Sequence, residues 1–138
     1  MKTTTLLLLS IIAATTVGCQ KSGPDLSIVT GTVKLDGEPL ADALVTYQPL
    51  SGVGTYSSAF TDKNGFYRMR YSRDRDGVMM GRHSVTICTA PPSLGGVERV
   101  PPKYNSATEL TQEIIAENHE FNYEIKSGNF KGRNSWSK

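Results

Sequence analysis

Apolar and polar side chains alternate along most of the chain after residue 27. In residues 28–35, valines and a leucine alternate with threonines and a lysine, and the turn pair Asp36-Gly37 follows. Because successive side chains of a strand point to opposite faces, this period of two predicts a half-buried β-strand. Residues 109–117 have some helical propensity, but the adjacent pair Ile114-Ile115 favours a strand there. The same alternation predicts six more short strands, at residues 43–48, 56–61, 67–71, 83–88, 111–116 and 120–126.

The segments between these strands carry turn and loop signals. Asn64-Gly65 supplies the positive φ that a hairpin turn needs. Residues 73–81 are predicted to form a charged loop, and residues 90–105, rich in Pro and Gly, a long irregular one. Residues 127–138 are polar, and we expect a disordered tail apart from contacts by Phe130 or Trp136.

Seven short strands without an amphipathic helix predict an all-β fold, a seven-stranded β-sandwich. His83 is in phase with the inward positions of its strand, so we expect a buried imidazole that stays neutral because desolvation disfavours its charge. The inward positions of the strands predict one core, formed by Val33, Val45, Tyr47, Tyr67, Met69, Val85, Ile87, Phe121 and Tyr123.

The charge of the chain is nearly balanced. Fifteen Lys and Arg against 13 Asp and Glu give a formal net charge of +2. This is too weak to be the electrostatic footprint of a nucleic-acid-binding protein, so no nucleic acid is expected as a partner. A length of 138 residues with 38% hydrophobic side chains leaves room for one folded domain.

The N-terminus has the organisation of an export signal. Lys2 precedes an apolar run at residues 6–17, which is too short and too interrupted to span a bilayer. The following Thr16-Val17-Gly18-Cys19 resembles the lipobox of bacterial lipoprotein precursors, although Thr16 stands where Leu is usual. The resemblance implies a signal peptide over residues 1–18, a lipidated Cys19 and a tether over residues 19–27. The alternative is an ordinary secretory signal with a chance cysteine.

If the lipobox is used, the protein is exported and held at a membrane by its acyl chains, because several chains give durable anchoring. Gln20, rather than Asp, after the cysteine implies the outer membrane or another periplasmic membrane face. Cys88 is then left without an intramolecular partner. We expect a small, inert strand residue there, with a reactive thiol as the alternative.

The domain itself resembles a known family. The segments GTVKLDGEPLADALVTYQP, SAFTDKNGFYRM, GRHSVTI, PPKYN and ENHEFNYEI are similar to those of carboxypeptidase-regulatory-like, transthyretin-like domains, particularly the small lipoprotein versions of planctomycete-type bacteria. The resemblance covers residues 28–125 and implies a transthyretin-like (prealbumin-like) Greek-key β-sandwich over residues 28–126, followed by a polar C-terminal tail over residues 127–138. Its motifs are structural, so it implies an architecture and a location but no activity.

Candidate catalytic and metal-binding chemistry is sparse. Residues 62–65 and 74–77 each resemble a fragment of a calcium loop, but both lack the remaining ligands, and turn chemistry explains them. His83 and His119 lack the close His-x-His spacing of an intradiol-type iron site, which favours structural roles. The sequence contains no nucleophile elbow, zinc-binding helix motif or CxxC pair. We therefore expect no catalytic residue, no metal and no cofactor.

The remaining candidates are surface groups. One candidate is a basic and aromatic surface for a glycan or an anionic polymer, formed by Arg68, Arg70, Arg73 and Arg75 with Tyr67 and Tyr71 nearby. The long loop at residues 90–105 is the other candidate, and the predicted recognition surface takes Arg68 and Arg70 from the first and Lys103 and Tyr104 from the second. Alternating charges are also typical of the solvated face of a strand. The leading hypothesis is a non-catalytic, membrane-anchored structural or interaction module of the cell envelope, with an envelope protein or a glycan as partner. The alternatives are a small enzyme with an unrecognised site and a carbohydrate-binding module that uses exposed rings of Tyr56, Tyr67, Tyr104 or Trp136.

Overall fold

The computed structural model describes residues 23–91 and 94–134 of the 138-residue chain. The predicted signal peptide, Cys19 and Trp136 lie outside the described residues. Within those residues the fold is all-β, as predicted, with one short 3₁₀ helix at Pro102–Tyr104. The strands are β1 (Leu26–Ser27), β2 (Val29–Leu35), β3 (Glu38–Pro39), β4 (Leu44–Pro49), β5 (Ser57–Phe60), β6 (Phe66–Arg68), β7 (Arg70–Ser72), β8 (Arg75–Asp76), β9 (Val78–Met79), β10 (Gly81–Cys88), β11 (Val97–Glu98), β12 (Thr111–Ile114), β13 (His119–Glu120), β14 (Tyr123–Ile125) and β15 (Arg133–Asn134).

The larger sheet has six strands in the order β12-β10-β4-β5-β7-β8, and all neighbours are antiparallel. In its central pair, Val85 lies opposite Tyr47 and Ile87 lies opposite Val45. These four side chains are fully buried, and the residues between them are largely half-exposed. The alternation in the sequence is therefore an alternation between the core and the outer face of this sheet.

The smaller sheet is built around β2. β13 and β14 pair with β2 in parallel on one side, and β3 and β6 pair with it antiparallel on the other. Two short antiparallel pairs, β1 with β9 and β11 with β15, complete the described strands. β2 thus pairs both with β3, which follows it directly in the sequence, and with β13 and β14, which lie about 90 residues later.

One core lies between the two sheets, consistent with a β-sandwich. Seven of the nine predicted core residues are fully buried, and Phe121 and Tyr123 are partly buried. Both of these belong to the β13–β14 edge, where the described residues provide no further strand to cover them. The structure adds several apolar side chains to the predicted core, namely Val29, Leu40, Ala43, Val78, Val100, Ile114 and Ile125.

Gly31 allows a close approach across β2. A Cβ atom built at Gly31 would lie 1.8 Å from the carbonyl oxygen of Phe121 and 2.9 Å from the Tyr67 hydroxyl. The Tyr67 hydroxyl donates a 2.7 Å hydrogen bond to that same carbonyl. Glycine is required here because any side chain would occupy the space through which this bond passes.

The turn predicted at Asn64-Gly65 is confirmed. One carboxylate oxygen of Asp62 accepts hydrogen bonds from the backbone N–H groups of Asn64 at 2.8 Å and Phe66 at 3.0 Å. Gly65 has a φ of 75°, which side chains disfavour. The Asp62 side chain therefore caps a turn through the backbone, as the turn interpretation of this motif requires.

The single strand predicted at residues 67–71 passes from one sheet to the other. β6 pairs with β2 in the smaller sheet, whereas β7 pairs with β5 in the larger one. Met69, between them, is fully buried; its N–H donates to the carbonyl of Val29, and its carbonyl accepts from Gly77. The alternation continues through the crossing because Tyr67 and Met69 both face the core, so the pattern does not reveal the change of sheet.

The strand predicted at residues 120–126 is also divided. Between β13 and β14, the Asn122 side-chain oxygen accepts hydrogen bonds from the Thr32 N–H at 2.8 Å and the Thr32 hydroxyl at 2.9 Å. This side chain takes the place of a backbone carbonyl in the ladder with β2. The break is local, since β14 continues parallel to β2 afterwards.

Three predicted irregular segments contain regular structure. β8 and β9 lie in the predicted loop 73–81, and β11 and the 3₁₀ helix lie in the predicted loop 90–105. β15 pairs with β11, so the prediction of a disordered tail is wrong for Arg133–Asn134. These strands are only two residues long, and two residues are too few for a periodic pattern to be recognised.

Candidate functional site

An open groove of about 360 Å³ lies beside the β5–β7 pair. Ser58 of β5 and Arg70 of β7 lie directly opposite each other in its lining, because the chain reverses at the Asp62–Gly65 turn and β7 returns beside β5. The lining combines phenol, guanidinium and hydroxyl groups and contains no carboxylate: it is formed by Thr55, Tyr56, Ser58, Arg70, Tyr71, Ser72 and Arg73. We call this site the β5–β7 groove.

Arg70 is held in place by two acceptors. Its side chain donates a hydrogen bond to the carbonyl of Arg73, and its Nε lies 3.7 Å from the Asp76 carboxylate. Asp76 also pairs with Arg68, at 2.7 Å. One carboxylate therefore serves two guanidinium groups, and the described ion pairs include none with Arg73. The groove keeps an excess of positive charge, although these exposed pairs add little to stability.

The two tyrosines of the groove differ in burial and in the contacts that hold their rings. Tyr56 is exposed, with 54% of its surface accessible. Tyr71 is half-buried, and the guanidinium of Arg75 lies over its ring, 5.6 Å from the centroid. Arg75 also donates a 2.6 Å hydrogen bond to the carbonyl of Pro24. The ring of Tyr71 is thus braced by a side chain that is itself fixed to the start of the domain.

A second groove of about 550 Å³ adjoins the first and shares Arg70 and Arg73 with it. Its lining differs in charge, because Asp25, Asp74 and Asp76 all contribute to it. The two arginines therefore form a ridge between a groove without acidic groups and one lined by three carboxylates. An anion is favoured only on the β5–β7 side of this ridge.

A row of hydroxyl groups extends from the β5–β7 groove across the outer face of the larger sheet. Arg70 is opposite Ser58, Ser58 is opposite Thr46, and Thr46 is opposite Thr86. These three hydroxyl residues are half-exposed, and they occupy the positions that face away from the core. Adjacent strands are about 4.8 Å apart, so the row from Arg70 to Thr86 is about 14 Å long.

The structure does not bring the predicted recognition residues together. Arg68 and Arg70 lie near the β6 and β8 edges of the two sheets, whereas Lys103 and Tyr104 lie in the 3₁₀ helix beside β10. Lys103 is placed over the ring of Tyr104, 4.9 Å from its centroid, and the Tyr104 hydroxyl accepts a hydrogen bond from the N–H of Lys126. These two pairs are therefore separate surface features.

The predicted set of exposed rings is also divided. Tyr67 is 1% exposed and belongs to the core, so its ring is not available at the surface for carbohydrate binding. Tyr104 is half-buried, Tyr56 is exposed, and Trp136 lies outside the described residues. Tyr71 and Arg73 were predicted to belong to one basic and aromatic surface, but the addition of Tyr56 to them was not predicted. The signal for it is the Asp62–Gly65 turn, after which the chain passes through β6 and β7 returns beside β5, with Arg70 opposite Ser58.

Buried phenols form a hydrogen-bonded group between the sheets. The hydroxyls of Tyr47 and Tyr123 are 2.7 Å apart, and the ring of His83 lies 6.2 Å from that of Tyr47. Burial raises the pKa of all three core tyrosines, Tyr47, Tyr67 and Tyr123. These groups stay protonated and act as neutral hydrogen-bonding groups of the core.

The histidines are separate from each other. His83 is 1% exposed, as expected, and its Nδ1 is 3.0 Å from the carbonyl of Gly81. Desolvation lowers the pKa of His83, while this hydrogen bond and Glu113 oppose the shift. His119 contacts the backbone of Ile115 and stacks on Phe121. Each imidazole is thus bound to its own local structure.

Cys88 is half-buried on β10. Burial raises the pKa of its thiol to about 11, and the charge of Glu98 contributes in the same direction. A thiol with a raised pKa carries little of the nucleophilic thiolate at neutral pH. The electrostatics therefore favour the inert role for this cysteine.

Glu98 is a structural residue that the sequence analysis missed. Its carboxylate is buried and accepts hydrogen bonds from the N–H groups of Thr89, Ala90 and Val100 and from the Thr89 hydroxyl, at 2.8–3.3 Å. These bonds tie the start of the long loop after β10 to residues 98–100. No sequence signal distinguishes this glutamate from a solvated one in a loop rich in Pro and Gly.

Comparison with known proteins does not assign the chain to a class. No protein-family model, curated protein or solved structure gives a significant match to it. Residues 23–91 and 94–134 include no helix long and apolar enough to cross a membrane. The same residues contain no group of three or more His, Cys, Asp or Glu side chains placed to hold a metal ion.

Proposed function

We propose that this chain is a non-catalytic lipoprotein of the cell envelope: an exported β-sandwich anchored through Cys19 to the outer membrane, or to another periplasmic membrane face, as a structural or interaction module. The observation that carries the proposal is the distribution of polar side chains between the interior and the surface. Among the described residues, every fully buried side-chain nitrogen and oxygen has a hydrogen-bond partner. Two exposed arginines and two tyrosines, in contrast, line one open groove.

The start of the domain supports attachment by a short tether. Arg75 binds the carbonyl of Pro24, Leu26 lies opposite Met79 in the β1–β9 pair, and the Ser27 hydroxyl donates to the carbonyl of Ile115. The segment that follows the proposed anchor is thus fixed to one end of the sandwich. Four residue steps separate Cys19 from Gly23, which reach at most about 14 Å when extended. A lipid on Cys19 would keep this end near the membrane.

We further propose that the sandwich is of the transthyretin-like, carboxypeptidase-regulatory-like type. The support is that the motif residues have structural tasks in this fold. Gly31 admits the Tyr67 hydroxyl, and Gly65 completes a turn whose backbone accepts from Val33. The buried Thr61 hydroxyl donates to the carbonyl of Leu40 at 2.6 Å and accepts from the N–H of Ala43 at 2.9 Å. An experimental structure with a different strand order would remove this assignment.

The anchor is tested by the chain's two cysteines, which form a matched pair. The protein is expressed in a bacterial host with labelled palmitate, as wild type, Cys19→Ser and Cys88→Ser. We expect the label and membrane fractionation in the wild type and in Cys88→Ser, and neither lipid label nor anchoring in Cys19→Ser. Equal label in all three proteins, or label lost only in Cys88→Ser, would refute the lipoprotein proposal.

A second candidate function, carbohydrate binding, is favoured by one observation. The β5–β7 groove combines Tyr56 and Tyr71 with two arginines and several hydroxyl groups. Binding sites of small ligands combine apolar and aromatic surface with a few directed polar groups in this way. This candidate is a form of the interaction module proposed above rather than a competitor to it.

A further inference from the structure

We propose that the β5–β7 groove binds a carboxylate-bearing sugar unit, of the uronic acid class, within an envelope polysaccharide. This inference rests on the proposed function, because it names the partner of the interaction module. The argument uses the charge of the groove, its aromatic walls and the hydroxyl row that leaves it.

The charge of the groove fits a single negative group. Arg70 is oriented by Asp76 and by the carbonyl of Arg73, so its guanidinium is positioned before any ligand arrives. Arg73 is exposed and lines the same groove. A planar guanidinium matches a carboxylate with two parallel hydrogen bonds. Because Asp76 offsets part of the charge, the site fits one carboxylate better than a doubly charged phosphate.

The aromatic walls fit a sugar ring. Tyr56 is 54% exposed, and Tyr71 is braced by Arg75. A pyranose ring has C–H groups on its faces and hydroxyls at its edge, so an aromatic face and nearby hydroxyls together match both parts. The hydroxyls of Thr55, Ser58 and Ser72 lie in the same lining. A small inorganic anion would not contact these aromatic rings.

The hydroxyl row indicates a polymer rather than a single sugar. Ser58, Thr46 and Thr86 continue from Arg70 across three further strands on the outer face. Each hydroxyl both donates and accepts hydrogen bonds, so the row can follow the hydroxyls of a chain about 14 Å long. A lipid headgroup phosphate would occupy the arginines but would leave this row without a partner.

The test measures polymer binding by the full chain, purified from the fraction in which it is found, with non-ionic detergent present for a membrane fraction. The probe is polygalacturonate, which carries sugar rings and carboxylates. Dextran supplies sugar without charge, polyglutamate supplies carboxylate without sugar, and phosphatidylglycerol vesicles supply a lipid phosphate. We expect polygalacturonate to bind at least about tenfold more tightly than each of the other three.

The variants separate the groove from general surface charge. Arg73→Gln and Tyr56→Ala are each expected to weaken polygalacturonate binding by about fivefold or more. The matched controls are Lys63→Gln, an exposed cation in the Asp62–Gly65 turn, and Phe66→Ala, an exposed ring on the smaller sheet, and both should leave binding within about twofold. All four residues are exposed, so thermal unfolding should confirm that each variant keeps its fold.

Several results would overturn the inference. These are no binding to polygalacturonate, equal or tighter binding to polyglutamate, dextran or the vesicles, or equal losses in the groove variants and their controls. The outcome is independent of the anchor experiment. A chain that binds polygalacturonate through Arg73 and Tyr56 but carries no lipid on Cys19 would support the groove and refute the lipoprotein. The reverse pair of results would keep the lipoprotein and remove this partner.

Discussion

Replacing Glu98 by Gln tests whether the long loop after β10 is held by a buried carboxylate. One oxygen, Oε1, accepts from the N–H of Val100 at 2.8 Å and from the N–H and hydroxyl of Thr89 at 3.1 Å. The other, Oε2, accepts from the N–H groups of Thr89 and Ala90 at 3.3 Å. Glutamine has nearly the same shape but turns one acceptor into a donor.

The cost can be worked out from these bonds. If the amide oxygen takes the place of Oε1, its NH₂ group faces the N–H of Ala90, which loses its acceptor in a buried position. A buried unsatisfied donor costs about 1–3 kcal/mol, and the remaining bonds change from a charged to a neutral acceptor. We expect the free energy of unfolding to fall by about 2–4 kcal/mol in Glu98→Gln.

Urea denaturation of the full chain measures this change. With a slope of about 2 kcal/mol per molar urea, the midpoint should fall by roughly 1–2 M. The control is Glu109→Gln, an exposed glutamate whose replacement should change the unfolding free energy by less than about 0.5 kcal/mol. Equal midpoints for the two variants would show that the Glu98 carboxylate does not hold the loop.

Two further predictions concern Gly31 and Cys88. Gly31→Ala should lower the free energy of unfolding by about 3 kcal/mol or more, because the new Cβ would displace the backbone of Phe121 or the Tyr67 hydroxyl. Thermal unfolding measures this, with Gly37→Ala as the control. At Gly37 the positive φ strains the backbone, but the added Cβ meets no atom within 4 Å. Comparable losses in both variants would contradict the steric argument. Cys88 should react about a hundredfold more slowly with iodoacetamide at pH 8 than a thiol of pKa 9, because burial raises its pKa to about 11, and the rate should rise with pH up to that value. A rate equal to that of the urea-unfolded chain would refute the buried thiol.

Much of the fold is predictable because most strands separate a core face from a polar face. Apolar and polar side chains alternate in residues 83–88, and the structure buries His83, Val85 and Ile87 on the core-facing side of β10. The strand at residues 67–71 shows the limit of this signal. Its alternation is unbroken although β6 and β7 belong to different sheets, because the pattern records burial and carries no information about the pairing partner.

The candidate site was predictable only in part. Arg70 was identified from the sequence, and Tyr71 and Arg73 lie beside it in the chain. The other groove residues come from the far side of a turn and from the loop before β5. The grouping of Arg68 and Arg70 with Lys103 and Tyr104 failed because the position of the 3₁₀ helix depends on how the long loop packs. Glu98 contributes to that packing through bonds from backbone N–H groups, which no side-chain pattern reveals.

The parallel pairing of β2 with the last strands sets the order in which the chain can fold. Thr32 and Asn122, which bond directly, are 90 residues apart, and β14 ends at Ile125. Until those residues are available, β2 lacks one neighbour and the core valines Val29 and Val33 lack the cover of β13 and β14. Contacts between distant parts of a chain form slowly, because the entropy of closing the loop must be overcome first. A chain that leaves the ribosome or passes through a translocation pore from its N-terminus would therefore complete this sheet only after Ile125 has emerged.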